Sequence, residues 1–492
     1  MKKTKIALIQ PNVLTNTMPP LGILYISAVL KKSGYQVKVF DPPAGDASFL
    51  ERVKNFHPDI IGLSISTNQY ARAKDVVIAL KRDIPDACFC AGSIHPTALP
   101  AETLEDLGLN FVVVGEGEYT MLEVCDNFEE GYGFKGIKGL IYKEGGKIVD
   151  NGRRELIKNL DELPFPDRGA LSFEWYLIPP GMLRGIPLRR STTIISARGC
   201  PYSCIYCSMH ILFEKRVRHR TIDNVILEIR CLIDNYRIEG LYFLDPVFTI
   251  DREWVLSFCE RLRKEKIRLK MGAQARVNNV DMDLLVEMKK AGFVQIDYGL
   301  ESGSQRVLDA LKKNCRVEQI EKAFLLTKKA GIRAEACCLI GNPEEKIQDI
   351  EKTYNLVKKI SASFVRFYYT TPYPGTELND MAIRNHWIGQ KLNYSEKWDI
   401  RQTAFPIMEI NFTKKELSRI RAKYQNRFIF KNHLAYFRNY IFILELFCVI
   451  LRHPLEFCKN LVQAIRVMRL DDFIEFLIEV YRQDKAKSFN QN

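Results

Sequence analysis

The stretch Arg198–His210, RGCPYSCIYCSMH, sets Cys200, Cys204 and Cys207 within eight residues of one another. Tyr202, Tyr206 and His210 share it. Three thiols so close suit a structural zinc, a disulfide framework or an iron–sulfur cluster. The chain begins MKKTKIALIQPNV, basic and then briefly apolar. Polar residues interrupt it before any signal-peptide core or membrane-spanning length, so it reads as a first β-strand. Without an export signal the expected compartment is the reducing cytoplasm, where most of the 13 cysteines are not disulfides. Cys231, Cys259, Cys337 and Cys338 lie in apolar runs and are expected to behave as small hydrophobes. Only the 200/204/207 group has the spacing of ligands.

Outward from that stretch, 492 residues suffice for two or three domains, each with its own core. Apolar residues at 47% and charged residues at 27% are ordinary for a globular protein. The net charge of +13 is uneven: residues 411–492 hold 15 Lys and Arg against 8 Asp and Glu. Basic surfaces attract nucleic acid, anionic lipid or acidic substrates, although a single charged run is usually a solvated helix face.

Residues 1–150 alternate short apolar strands with amphipathic helices: KIALIQ, LGILYISAVLKKSGY, QVKVFD, IIGLSIST, AKDVVIALKRDIP, ACFCAG and NFVVVGEGE. This predicts α/β architecture, a doubly wound parallel sheet whose ligands bind beyond the carboxyl ends of the strands. Residues 151–190, centred on LDELPFPDRGAL, read as a linker. A second βα series starts at TTIISARGC and runs through GLYFLDPVFTI, LKMGAQARV, FVQIDYGLESG, RAEACCLIGNP and ASFVRFYYTTPYPGT. About six repeats over 191–400 predict a (βα)6-like partial barrel with its chemistry on the loops after the strands. Residues 401–492 read as a helical, basic region.

His210 would complete a Cys3His zinc set. Structural zinc, however, usually staples small modules, and this loop follows a barrel strand in a domain with ample core. Three thiolates on a cubane cluster leave one iron without a protein ligand, and that iron can coordinate a substrate or cofactor.

CxxxCxxC after the first barrel strand, with Tyr206 just before the third Cys, resembles the radical S-adenosylmethionine signature. The resemblance implies a [4Fe–4S] cluster on Cys200, Cys204 and Cys207. Its open iron is chelated by S-adenosylmethionine, which on reduction yields a 5′-deoxyadenosyl radical. Other stretches resemble the same family in order. FLDPVF makes Asp245 the candidate for the methionine amino group, although Pro246 stands where relatives often carry a second acid. GLESG (Gly299 to Gly303) is similar to the strand end whose Glu301 and Ser302 face the cofactor, with Gly299 beside them. Arg276 in AQARV suits the cofactor carboxylate through the forked geometry of guanidinium. LIGNPEE, with Gly341, resembles the strand along the adenine, and PYPGTEL the last barrel loop.

Residues 5–130 resemble the cobalamin (B12)-binding domain that precedes the radical domain in one branch of this family. That branch includes anaerobic magnesium-protoporphyrin ester cyclase-like and C-methyltransferase members. The resemblance places cobalamin over the strand ends, lined by Ser64, Ser66, Gly92, Gly115 and Gly117. One departure is evident. Where such domains carry DxHxxG, this chain reads DPPAGD from Asp41, with Pro43 at the place of the cobalt-ligating His and Asp46 at the Gly place. His95 in SIHPT is an alternative ligand or a loop-ordering hydrogen-bonding group.

The stretch NYIFILELFCVILRHPLEFCKNLVQAIRVMRL combines an eleven-residue apolar run, interrupted by Glu445, with Lys and Arg, and that run is too short to span a bilayer. Packing against the barrel or a partner subunit is the expectation, with peripheral membrane contact or an apolar substrate lid as alternatives. The implied function is hydrogen abstraction from an unactivated carbon, leading to cobalamin-dependent C-methylation. Cyclisation, rearrangement or C–C coupling without methyl transfer is the alternative. A small-molecule or apolar substrate and a flavodoxin- or ferredoxin-type electron donor are the expected partners. A zinc-containing nucleic-acid binder is the contrasting class, but it leaves two consecutive βα domains unexplained, and no nucleic acid partner is expected.

Overall fold

The computed structural model describes residues 3–12, 18–42, 46, 48–178, 181–388, 406–437, 440–452 and positions 454, 458, 477 and 481. The chain forms two compact units, neither of them one continuous run. Residues 1–172, 197–220 and 370–409 make the first, and 173–196, 221–369 and 410–492 the second.

The first unit is built on a seven-stranded sheet. Its strands are β1 (Lys5–Ile9), β2 (Gln36–Phe40), β3 (Ile60–Ser64), β4 (Cys88–Gly92), β5 (Phe111–Val113), β6 (Leu140–Glu144) and β7 (Lys147–Asp150). Their order is β2-β1-β3-β4-β5-β6-β7. The first five are parallel, as the alternation of strands and helices predicts. The last two correct that expectation, because β6 runs antiparallel to β5 and pairs with β7 as a hairpin. Gly145 and Gly146, both at positive φ, form the turn, the dipeptide that a tight two-residue hairpin favours. Ile61, Leu63, Phe89, Ala91 and Val112 pack with Val76, Val77, Leu80 and Leu104 in one buried cluster. Cys88 and Cys90 point into this apolar sheet, and burial pushes the Cys88 thiol up to about 12.

The second unit begins its sheet at β8 (Ser191–Ile194). The chain then supplies the first unit with a two-stranded ribbon, β9 (Ala197–Arg198) and β10 (Arg218–His219). It returns to add β11 (Gly240–Phe243), β12 (Lys270–Ala275), β13 (Phe293–Glu301), β14 (Arg333–Ile340) and β15 (Phe364–Tyr369). All six strands are parallel, in the order β15-β14-β13-β12-β11-β8. This open sheet of six βα units is the expected partial barrel. Its helices start where side chains cap their first turns: Thr221 on Asn224 N, Asp251 on Trp254 N and Asp281 on Leu284 N. Cys259 and Cys338 are buried as the apolar pattern predicts, but Cys231 is exposed. It lies on the helix Ile222–Tyr236, whose apolar stripe is carried by Val225, Ile226, Ile229 and Leu232 instead.

An open sheet leaves an edge. On β15 it is covered by the helix Lys414–Phe437, whose side chains take over the missing ladder. Gln425 accepts from Phe367 N at 2.9 Å and Asn432 from Val365 N at 3.0 Å. Both amides donate back to Val365 O, and Arg421 donates to Phe367 O. Buried backbone groups need such partners. Each polar-to-apolar substitution here would orphan one, so Gln425→Leu is expected to cost about 1–3 kcal/mol in denaturant unfolding.

Candidate cofactor sites

In the first unit the ribbon β9–β10 closes the loop that carries the three cysteines. Gly199 opens that loop at φ +95°, where an added Cβ would collide with the Arg216 carbonyl oxygen. Only glycine fits. Cys204 is buried, while Cys200 and Cys207 are partly exposed. The loop is pinned by Cys207 N donating to Cys204 O at 3.1 Å and by Leu378 N, from PYPGTEL, donating to Ile205 O at 2.9 Å. His210 lies on the short helix Met209–Phe213. Among the described residues, no three or more His, Cys, Asp or Glu side chains converge as around a single metal ion. The donor set is three thiols, the ligand type that iron–sulfur clusters take.

The ribbon is held by an ion network that the sequence did not disclose. Arg198 is forked between two carboxylates, Nη1 to Glu116 at 2.7 Å and Nη2 to Glu118 at 2.7 Å. Arg218 Nη1 reaches Glu116 at 2.7 Å and also donates to Ile157 O. Ile157 N donates to Glu116 as well. Arg198, Glu116 and Glu118 are buried, and the Arg198 guanidinium lies 5.0 Å from the Tyr25 ring centroid. Burial alone would push the Glu116 carboxyl up. The bonds and charges of Arg218 and Arg198 outweigh it and hold the group below its ordinary value. GEGE, expected only to line a cofactor, therefore divides its roles: Gly115 leaves backbone open and the two acids anchor the cysteine loop.

The candidate cobalamin residues sit at neighbouring strand ends. Ser64 and Gly92 close β3 and β4, and Gly115 follows β5. Gly115 N donates to Thr97 Oγ1 at 3.1 Å, and no atom lies within 4 Å of where a Gly115 side chain would begin. Gly117 faces Ile26. Ser66 is turned toward Gln69, which it caps. An open glycine backbone over parallel strand ends fits a large planar cofactor. Pro43 lies outside the described residues. Of its neighbours, Asp41 and the Pro42 carbonyl take Asn12, and Asp46 binds Ser48 and Arg52. His95 is 2% exposed, with Nδ1 3.2 Å from Thr67 Oγ1 and its ring 4.4 Å from that of Tyr70. Burial pushes its imidazole down to about 4, so it is neutral.

In the second unit the candidate S-adenosylmethionine residues gather at the carboxyl ends of β11 to β14. Asp245 is buried and accepts from Ser196 N at 2.7 Å and from the Ser196 hydroxyl. Arg276 is buried and donates to Lys313 O. Glu301 sits at φ +62°, beside a register shift, and pairs with Lys313 at 2.6 Å. A Cβ on Gly299 would collide with that carboxylate. Lys313 was missed in the sequence because nothing local marks it. Ser302 is turned inward, its Oγ 3.2 Å from Thr353 Oγ1. Gly341, at φ +80°, donates N–H to Glu345 Oε2 at 2.7 Å, and Leu417 fills the space a side chain would need. Buried acids, a guanidinium and an ammonium suit the amino-acid end of a zwitterionic cofactor.

Glu345, which binds both Gly341 N and Asn342, is pushed up to about 7, chiefly by burial. The folded chain therefore keeps this proton while the unfolded chain loses it near pH 4.5. Stability should fall as pH rises from about 4.5 to about 7, by on the order of 3 kcal/mol, and level off above. Denaturation of Glu345→Gln across that window should lack this slope.

Comparison with known proteins agrees with the geometry. The B12 binding domain family matches residues 12–125, and the radical SAM superfamily matches residues 194–357. An uncharacterized methyltransferase of Pyrococcus horikoshii is 32% identical over 435 residues, covering 86% of this chain and 92% of the relative. The anaerobic magnesium-protoporphyrin IX monomethyl ester cyclase of Rubrivivax gelatinosus is 28% identical, with 85% and 75% covered. The radical S-adenosylmethionine methyltransferase TsrM from Kitasatospora setae, solved with cobalamin and a [4Fe–4S] cluster, shares the fold. Its TM-score is 0.63 at 18% identity, covering 77% of this chain and 75% of that one. The chain belongs to the radical S-adenosylmethionine enzymes that carry a B12-binding domain. Its cofactors are accordingly a [4Fe–4S] cluster, S-adenosylmethionine and cobalamin.

Proposed function

We propose that the enzyme methylates an unactivated carbon of a small-molecule substrate, with cobalamin as the methyl carrier. The observation that carries this reading is the methyltransferase relative, matched at 32% identity over 92% of its length. Bound together, the three cofactors supply a 5′-deoxyadenosyl radical and a transferable methyl group. In this reading Cys200, Cys204 and Cys207 hold the cluster. Asp245, Arg276, Gly299, Glu301, Ser302 and Gly341 bind S-adenosylmethionine, and Ser64, Ser66, Gly92, Gly115 and Gly117 line the corrin. Cobalt takes no ligand from His95, whose buried imidazole serves Thr67. Residues 1–150 act as the cobalamin domain, 151–190 as linker, 191–400 as radical core and 401–492 as a helical addition. A flavodoxin- or ferredoxin-type protein supplies electrons in a cytoplasmic, reducing setting.

The test needs no substrate. Reduced, cobalamin-loaded enzyme is given methyl-labelled S-adenosylmethionine, and the corrin is isolated. Label on the corrin is the expected result. Release of 5′-deoxyadenosine with an unlabelled corrin would contradict methylation and favour the cyclase-type reading, which the 28% identical relative supports.

A further inference from the structure

The helix Tyr440–Arg452, YIFILELFCVILR, is apolar on every side except at Glu445 and Arg452. One side is satisfied. Leu446 and Val449, with Ile443 and Ile450, pack on Trp175, Ile178, Leu477 and Tyr481. On the opposite side, among the described residues, Tyr440, Leu444, Phe447 and Leu451 are 63%, 65%, 60% and 64% exposed. Their spacing of four, three and four residues makes one continuous stripe. Helices that are apolar all round are normally buried, so this stripe is a surface that takes a partner.

The neighbouring helix Lys414–Phe437 indicates which partner. It is fixed on β15 by Arg421, Gln425 and Asn432. Lys415, Arg419, Lys423 and Arg427 are exposed on it, and Phe430 is 75% exposed. The two helices follow one another in the chain and touch. The region from 411 onward has seven more cations than anions. Among the described residues no helix is long and apolar enough to cross a membrane. An apolar stripe and exposed cations on consecutive helices are the composition of a region that lies in a bilayer interface. A second copy fits less well, because a symmetric contact along the stripe would bring the cations of both copies together.

We propose that these two helices dock the enzyme on an anionic bilayer. Tyr440, Leu444, Phe447 and Leu451 enter the headgroup–acyl boundary, and the cations of the preceding helix engage lipid phosphates. The proposal does not rest on the radical chemistry, so either assignment can fail without the other.

The experiment is sedimentation of the full-length, cofactor-loaded protein with phosphatidylcholine vesicles, with and without phosphatidylglycerol. Binding should require phosphatidylglycerol and weaken with salt. Leu444→Ser/Phe447→Ser should lower the affinity at least roughly tenfold while leaving the melting temperature unchanged. Lys415→Gln and Arg419→Gln should each cost about fivefold. Absence of binding to anionic vesicles, or binding unaffected by Leu444→Ser/Phe447→Ser, would overturn the proposal. So would a dimer in light scattering that the same double variant converts to monomer, because the stripe would then belong to a second copy.

Discussion

Cys204→Ala protein, purified without oxygen, should be nearly colourless, whereas the parent should be brown with about four irons per chain. Cys204 is the buried member of the three thiols, and its carbonyl holds Cys207 N. On the proposed assignment, losing it removes a cluster ligand and leaves a void in the loop. Release of 5′-deoxyadenosine after dithionite reduction should drop below detection. Cys231→Ala is the control, because that thiol is exposed on a helix away from any ligand spacing. It should keep both iron and cleavage. Equal cleavage in Cys204→Ala and the parent would sink the cluster assignment.

Arg198→Ala is expected to be among the most damaging single changes outside the cysteines. It leaves Glu118 without its 2.7 Å partner and Glu116 with one cation, Arg218, in place of two, both inside the protein. Breaking a buried ion pair on one side costs about 3–5 kcal/mol, because a desolvated charge remains. Arg198→Lys should recover little, since a single ammonium cannot span two carboxylates as the guanidinium fork does. Arg198 is two residues before Cys200, so the iron content should fall together with stability. Removing the Glu118 charge as well, as Glu118→Gln/Arg198→Met, which keeps the Glu116–Arg218 pair, should restore part of the stability but not the order of the loop. The measurements are the urea midpoint and iron per chain. An unchanged midpoint in Arg198→Ala would mean that the network holds nothing.

What was readable from the sequence was local. CxxxCxxC is a contiguous pattern, and the strand–helix alternation rests on periodicities of two and 3.6 that show in windows of ten residues. Glycines at Gly199 and Gly341 also mark their turns directly. The contacts that shape the sites are long-range. Glu301 meets Lys313 twelve residues on, Arg198 meets Glu116 across 82 positions, and β15 is completed by Gln425 and Asn432 some sixty residues later. Periodicity says which face is buried, not which partner it meets. One miss was avoidable: Gly145–Gly146 between apolar segments is a hairpin signal, and it accounts for the antiparallel end of the first sheet. Cys231 shows the opposite error, since an apolar stretch of sequence does not place each of its residues on the apolar face.

The central claim is that one chain holds both an iron–sulfur cluster and a corrin, and the most direct measurement is metal content. Protein purified without oxygen, reconstituted with iron, sulfide and hydroxocobalamin, and desalted should contain about four irons and one cobalt per chain. Zinc should be well below stoichiometric. One zinc per chain with neither iron nor cobalt retained would contradict the account.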